Sequence, residues 1–524
     1  MKKSVKRMIS VLLIMGMSVS ALAGCGSGGG QDTKEAQVNE NGDDAGEAGD
    51  KKTSADSVID MDEEPYTVAI QVVTLPGTQF EGEEEREEAI NAITVPAINC
   101  KVDIQEIWIS EIANTTSMAV AGDEKIDLVH VATVNPLSSL VGSDILLDMN
   151  ENDLLQARGQ GLVELFGDLL DVGNVNGQQL AIPAKTFNAV EKGMSYNKTM
   201  ADAAGITIPE EGTIDDMEEA LYAIKEANPD VTPFLVGEGN LNFLYWMIGY
   251  EGFGSEASYG AVLNPDKETK IENIYATEEF KDFCLRMYKW RKDGLIPGDP
   301  TDTNSAQDYF NAEQLFSNLT DFTEKLNSDY DSQASFDIGR MVMVQPKITN
   351  SSMTEYMWGI ASNSERPDKA MDFLNFIYTN ADAANILRYG VEGTNYDFQE
   401  GSDDIVVSNN TYLPLFYIGG DEKSMYIQAP AGEDFISKTE AMETEAVVSP
   451  LCGYMFNDTE FQTESAVIYS TIMEYMPRLQ NGTCDSEDAT LALLDEFNQK
   501  LTASGMDDVI EANQEQLDAW LADQ

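Results

Sequence analysis

One histidine, His130, and five cysteines, Cys25, Cys100, Cys284, Cys452 and Cys484, stand among 92 acidic residues in this 524-residue chain. That inventory restricts covalent chemistry. A single imidazole leaves few options for Ser–His or Cys–His nucleophilic catalysis. No GxSxG, P-loop or HExxH string occurs, and the one GxGxxG string, Gly24 to Gly29, has no strand before it. No two cysteines have CxxC spacing, and one histidine cannot complete a His/Cys zinc set. Asp299 to Asn304 lacks the spacing of a calcium loop. Paired carboxylates could hydrolyse glycosides, but so many acidic residues nominate no pair. The composition therefore implies no enzyme, no cofactor and no metal. What remains is recognition. Aromatic faces at Trp108, Tyr245, Trp246 and Trp358 could stack on a ring, and Thr133, Asn135 and Lys185 could hydrogen-bond a polar solute.

Each candidate has a structural alternative. Trp108 ends a strand. Tyr245 and Trp246 precede the glycine-rich stretch Gly249 to Gly254, where backbone could approach a ligand, yet an apolar helix packed in a core would read the same way. Trp290 and Trp520 have helical spacing to other apolar residues and read as core. His130 alternates within a buried strand and reads as a satisfied core group. Cys100 and Cys284 read as buried thiols. Cys452 and Cys484 could be bridged across a helical segment, although free thiols are the favoured reading.

The N-terminus carries an address. Lys2, Lys3, Lys6 and Arg7 precede an apolar run, Met8 to Leu22, that is too short to span a bilayer comfortably. Leu22-Ala23-Gly24-Cys25 follows and looks like a bacterial lipobox. Residues 1–24 then read as a signal peptide, and Cys25 as the lipidation site, with the body held outside the cytoplasmic membrane by acyl chains alone. The formal net charge is −60, which excludes a phosphate-binding face for nucleic acid. Residues 25–64, rich in Gly, Asp, Glu and Ser, read as a lipidated cysteine followed by a disordered acidic tether.

Order begins at Tyr66. Alternating apolar residues predict strands over 66–73, 101–107 and 126–131, with helices over 83–93 and 110–121 between them. Strand–helix alternation implies a parallel α/β sheet. Ligands of such sheets bind outside the carboxyl ends of the strands, which draws attention to Thr133 and Asn135. Further on, Thr213 with Asp216 is a capping box for a helix carrying Met217, Leu221 and Ile224. A helix over 277–293 presents Phe280, Phe283, Met287 and Trp290. Pro367 opens another, and three amphipathic helices close the chain.

This order of elements resembles the extracellular solute-binding proteins of ABC importers, the family that includes maltose-binding proteins. The residues that carry the resemblance are Ile126 to Val129; Ala181 to Ala184 with Met194 to Lys198; Trp358 to Ala361 with Asn363 to Leu374; and Arg388 to Tyr396 with the tail from Leu501 to Trp520. The last pair is similar to a subfamily of lipoproteins whose C-terminal domain has no assigned activity. The resemblance implies a two-lobe, periplasmic-binding-protein-like (type II) α/β fold with an interlobe ligand cleft and a hinge. Lobe one would be 65–187 and 350–420; lobe two would be 188–349 and 421–524 with the C-terminal helices. It also implies a monomer that delivers a small-molecule solute, a sugar by preference, to ABC permease subunits on the outer face of the membrane. A peptide or another polar solute, or a surface sensor or adhesin on the same fold, is the alternative. Many relatives carry an aromatic residue in the loop that holds Thr133 and Asn135; this chain has none there.

Overall fold

The computed structural model describes residues 59–75, 78, 81–132, 134–235, 247, 249–297, 306–414 and 419–522. Tyr66–Thr74 (β1) is buried through its last seven residues, as an inner strand covered on both faces should be. Glu83–Ile98 (α1) starts with three glutamates, where the positive end of the helix dipole favours them, and stops at Asn99 in the left-handed conformation. Cys100–Trp108 (β2) runs parallel to β1 in a register that pairs Thr74 with Trp108, and Leu128–Ala132 (β3) lies parallel on the other side. Asp127, just before β3, ties the sheet together. Its carboxylate accepts hydrogen bonds from the Ala69 amide at 2.9 Å and the Tyr66 hydroxyl at 3.0 Å. Ile182–Pro183 (β4) ends this first passage.

The chain then crosses to a second sheet. Val190–Asn197 (β5) leads into it. Ile214–Ala227 (α2) carries the expected capping box, with the Thr213 amide donating to Asp216 at 2.7 Å. Thr232–Phe234 (β6), Glu278–Lys292 (α3), Leu315–Phe322 (β7), Glu324–Gln333 (α4) and Ile338–Ile348 (β8) follow. Trp290 on α3 is fully buried and donates its indole N–H to Glu218 at 2.9 Å.

Tyr356–Ile360 (β9) returns to the first sheet. Pro367–Thr379 (α5) and Ala381–Tyr389 (α6) pack there, and Tyr396–Phe398 (β10), Ile405–Ser408 (β11) and Ile427–Gln428 (β12) form a small separate sheet. Phe435–Glu445 (α7) leads back to Val447–Val448 (β13) at the edge of the second sheet. Gln462–Gln480 (α8), Glu487–Ala503 (α9) and Met506–Ala522 (α10) close the chain. They share one core with α2 and α3, built from Met287, Ile472, Phe497 and Val509 among others.

Among the described residues the first sheet has the order β2-β1-β3-β9-β4 and the second β13-β8-β5-β7-β6. Three segments pass between them: 184–189, 349–355 and the stretch containing α7.

Two boundaries differ from the sequence reading. Ile59 packs against the core of the first lobe, Asn99 donates to the carbonyls of Asp60 and Glu63 at 2.9 Å each, and Glu63 pairs with Lys369 at 2.8 Å. The acidic stretch assigned to the tether thus already docks from Ile59, because the first lobe supplies a buried amine and an amide to receive it. Past residue 420, Met425 still packs with Ala384, Tyr389 and Tyr396, and β12 pairs with β11. The chain stays with the first lobe until α7 carries it across.

Candidate functional site

The carboxyl ends of β1, β2 and β3 come together at one edge of the first sheet, at Thr74, Trp108 and Ala132. Parallel pairing makes this so, since each strand is entered from the opposite edge. The edge is tied down by local bonds. The Thr74 hydroxyl donates to the Ile107 carbonyl at 3.2 Å, and the amide of Leu75 donates to the Leu413 carbonyl at 2.8 Å. Trp108 is 40% exposed here, a large apolar ring at the end of a strand whose neighbouring Ile107 is buried.

The turn after β3 is tight: the Asn135 amide donates to the Ala132 carbonyl at 2.8 Å, and the Ala132 amide to the Asn135 carbonyl at 3.2 Å. The Asn135 side chain is buried, and its amide nitrogen donates to the His130 carbonyl at 3.1 Å. Asn135 therefore holds the turn together instead of facing a solute, and Val134 is the exposed residue at its tip. Thr133, Tyr245 and Trp246 lie outside the described residues.

Trp358 is a correction. It is fully buried and stacks on His130, with ring centroids 4.9 Å apart and 15° between the planes. β9 is an inner strand, paired with β3 on one side and β4 on the other, so Trp358 is enclosed in the core of the first lobe and is not a cleft wall. His130 is core as expected but not satisfied: among the described residues neither ring nitrogen has a hydrogen-bond partner. Complete burial pulls its pKa down to about 3 and keeps it neutral. Lys185 is half-buried in the first crossing, its ammonium 5.4 Å from the centre of the Phe166 ring. Cys100, Cys284, Cys452 and Cys484 are all free thiols, and burial pushes Cys100 up to about 12.

The structure adds a polar group that sequence reasoning did not find. On the second sheet, Lys192 of β5 pairs with Asp321 of β7 at 3.2 Å, an arrangement set by antiparallel register. Glu355, at the end of the second crossing, lies within electrostatic reach of that pair and interacts with the neighbouring Tyr356. Burial raises the Glu355 carboxyl above the usual carboxylate range, Asp321 raises it further, and Tyr356 and Lys192 offset part of the shift. Polar side chains of the second sheet and of the second crossing thus lie near one another. Such a group can read hydroxyls by direct hydrogen bonds. No signal in the sequence marks it, because the pairing depends on strands far apart in the chain. Among the described residues, no cluster of His, Cys, Asp and Glu could hold a metal ion, and no helix is long and apolar enough to cross a membrane.

Residues 137–384 match the model of the bacterial extracellular solute-binding proteins. Over that stretch the chain is similar to the family. Residues 450–522 match a domain of unknown function (DUF3502), which covers α8, α9 and α10. A carbohydrate ABC transporter substrate-binding protein of Streptococcus pneumoniae is 25% identical over 444 residues, 82% of this chain and 87% of the relative. Among solved structures, the N-glycan transport solute-binding protein of S. pneumoniae superposes with a TM-score of 0.73 at 22% identity, over 87% of this chain and 99% of that one. The same protein in complex with Man5GlcNAc gives 0.63. An HMO-binding, ABC-transporter-associated solute-binding protein of Bifidobacterium longum infantis gives 0.62 at 14% identity, over 88% of this chain and all of that one. The fold is the two-lobe type II α/β fold, and the helices of residues 450–522 complete the core of its second lobe.

Proposed function

We propose that this protein is the lipid-anchored receptor of an ABC importer and delivers an oligosaccharide to it without altering it chemically. The observation that carries the reading is Trp108. It is a large ring exposed at the carboxyl edge of the first sheet, where an open α/β sheet takes its ligand. A pyranose ring offers a C–H face that stacks on such a ring, and its hydroxyls match the mixed donors and acceptors of Lys192, Asp321, Glu355 and Tyr356. Trp246, Tyr245, Thr133 and Lys185 are further candidates for the walls of the same cleft. The curated relative is named for carbohydrate transport, and the solved structures named above are described as binding N-glycans or HMO. Both support a sugar over a peptide. Cys25 is the anchor, which places the body on the outer face of the cytoplasmic membrane, as a monomer with permease subunits as its protein partner.

Isothermal titration of the full mature chain against oligomannose, HMO-type and maltose-type oligosaccharides, with tri- to hexapeptides alongside, tests the reading. At least one sugar series should bind with 1:1 stoichiometry and be recovered intact. Trp108→Ala should weaken that binding by about 1–3 kcal/mol, the loss of an aromatic anchor, with melting of the unliganded protein nearly unchanged. Peptide binding without sugar binding would overturn the assignment. Continuous release of shorter sugars would overturn the absence of catalysis.

A further inference from the structure

The first crossing, residues 184–189, is gripped by two carboxylates from a distant part of the chain. The peptide N–H of Phe187 donates to Glu422 Oε2 at 3.3 Å, and that of Asn188 donates to Glu443 Oε1 at 3.0 Å. Glu422 is itself fixed. Its backbone N–H donates to the Lys185 carbonyl at 3.1 Å, and its other carboxylate oxygen accepts from Arg388 Nη2 of α6 at 3.0 Å, both side chains being buried. Glu443 lies on α7, which belongs to the third crossing. α7 is also pinned to the second lobe, since Lys438 reaches Glu324 at the start of α4 at 3.4 Å. The Phe187 ring packs edge-on against Phe435 of α7, with centroids 6.0 Å apart.

Consecutive peptide groups in a segment between strands have no ladder partners of their own and need acceptors. Here both acceptors are side-chain carboxylate oxygens. One is held by the first lobe and the other by a helix tied to the second. A hinge works by changing φ and ψ at a few such residues. Rotation at Phe187 and Asn188 must therefore release one carboxylate or drag it along.

We propose that Glu422 and Glu443 form a two-point clamp on the first crossing and set the resting angle between the lobes, with Arg388 as the residue that positions Glu422. The clamp couples the first crossing to the third, so the crossings move as one hinge. It extends the proposed delivery role, which needs lobe motion, but it operates in the unliganded protein and is tested there.

The test uses the full mature chain without solute. Spin labels at Asp123→Cys in the first lobe and Asp230→Cys in the second, both exposed positions, report the interlobe distance by double electron–electron resonance in a Cys452→Ser background. Hydrogen exchange reports the amides of 184–189. Glu443→Ala should speed exchange at Asn188 at least tenfold and shift or broaden the interlobe distance distribution. Glu443→Gln, which keeps an acceptor oxygen, should restore both. Glu422 is left unchanged, because its two carboxylate oxygens accept from different donors, the Phe187 N–H and Arg388 Nη2, and neither Ala nor Gln, with its single acceptor oxygen, can serve both. Faster exchange with an unchanged distance distribution would reduce the contact to a local bond and overturn the clamp. So would a Gln variant that behaves like Ala, or no change in any variant. A failure to bind sugar, with these shifts present, would count against the proposed function and leave the clamp standing.

Discussion

The strap formed by Ile59 to Glu64 should contribute measurably to the first lobe, although its composition is that of a solvated spacer. The decisive perturbation is a pair of shortened chains, one starting at Thr53 and one at Pro65. The second loses the contact of Ile59 with the core and the two carbonyls that receive the Asn99 amide. It also loses the Glu63 carboxylate, 2.8 Å from Lys369 and 3.4 Å from Arg366. Lys369 is a buried amine, and removing one partner of a fully buried ion pair costs about 3–5 kcal/mol. Two effects lower that figure. Glu63 is partly exposed, so solvent already screens the pair. Deleting the strap also lets water reach Lys369. With about 1 kcal/mol for each hydrogen bond lost, the shorter chain should be destabilised by about 2–4 kcal/mol. Unfolding entropy of about 2.1 cal/mol/K per residue makes 1 kcal/mol worth about 1 °C in a body of this length, so its Tm should fall by about 2–4 °C. Glu63→Gln isolates the charge. Hydrogen bonds from Lys369, then from Arg366, hold the Glu63 carboxyl below its usual 4.5. Its contribution is therefore present above the unfolded-state value and is lost as pH falls through the lower folded value. Calorimetric melts should show wild type above Glu63→Gln at pH 7 and the two converging in acid. Equal melting of the chains starting at Thr53 and Pro65, or a Glu63→Gln deficit unchanged at the lowest pH that keeps the protein folded, would refute the reasoning.

Three further outcomes follow from the site and its frame. Trp358→Ala should cost about 3–5 kcal/mol of stability, the price of a cavity left by a buried aromatic, with solute affinity of the folded fraction close to wild type; a selective loss of affinity in thermal melts and titrations would return Trp358 to the cleft. Glu355 has a raised folded pKa, so the native state binds its proton more tightly than the unfolded chain, and stability falls as pH rises from the unfolded value through the folded one; Glu355→Gln should lack that decline, and identical pH–stability curves would show that the carboxyl is not desolvated. Cys25→Ser should leave the membrane fraction or remain unprocessed, checked by fractionation with acyl labelling; unchanged membrane association, with no label on the wild type, would remove the anchor.

Local signals were legible in the sequence and long-range ones were not. The alternation that marks Tyr66–Thr74 and Cys100–Trp108, and the Thr213–Asp216 box, are written within a few residues, and the structure places those elements within a residue or so of the reading. Helix α1 runs on to Ile98, through Pro96, beyond the expected end at Ile93. The acidic run before Tyr66 looked uniform because composition cannot show that Lys369 and Asn99 wait for its last residues. Trp358 looked like a cleft residue from its place beside a crossing; its burial is decided by β3 and β4, which lie far away in the chain. Asn135 was singled out for its amide, but the tight turn uses that amide internally. Lys192, Asp321, Glu422 and Glu443 carry no motif at all. Each matters only through the residue set opposite it by strand register or by the return of the chain.

That division has a consequence for how the molecule responds to change. A Trp at a strand end, a stacked Trp–His pair inside a core and a carboxylate on a crossing helix occupy three positions with different mechanical loads. Trp108 is 40% exposed at the end of its strand, so its removal should register chiefly in affinity. Trp358 and His130 have the first lobe packed around them, so their removal should register in stability. Glu443 has neither a solute to touch nor a core to fill, and what depends on it is the geometry of a segment that two rigid lobes share. A substitution there should leave melting and the bound state largely intact while altering the population from which binding starts. Since a solute can shift a two-state equilibrium only by its differential affinity for the two states, any change in the resting angle must reappear as a change in apparent affinity for every solute by the same factor. Uniform scaling across a ligand series is therefore the mark of the hinge, and selective loss of one ligand class is the mark of the cleft.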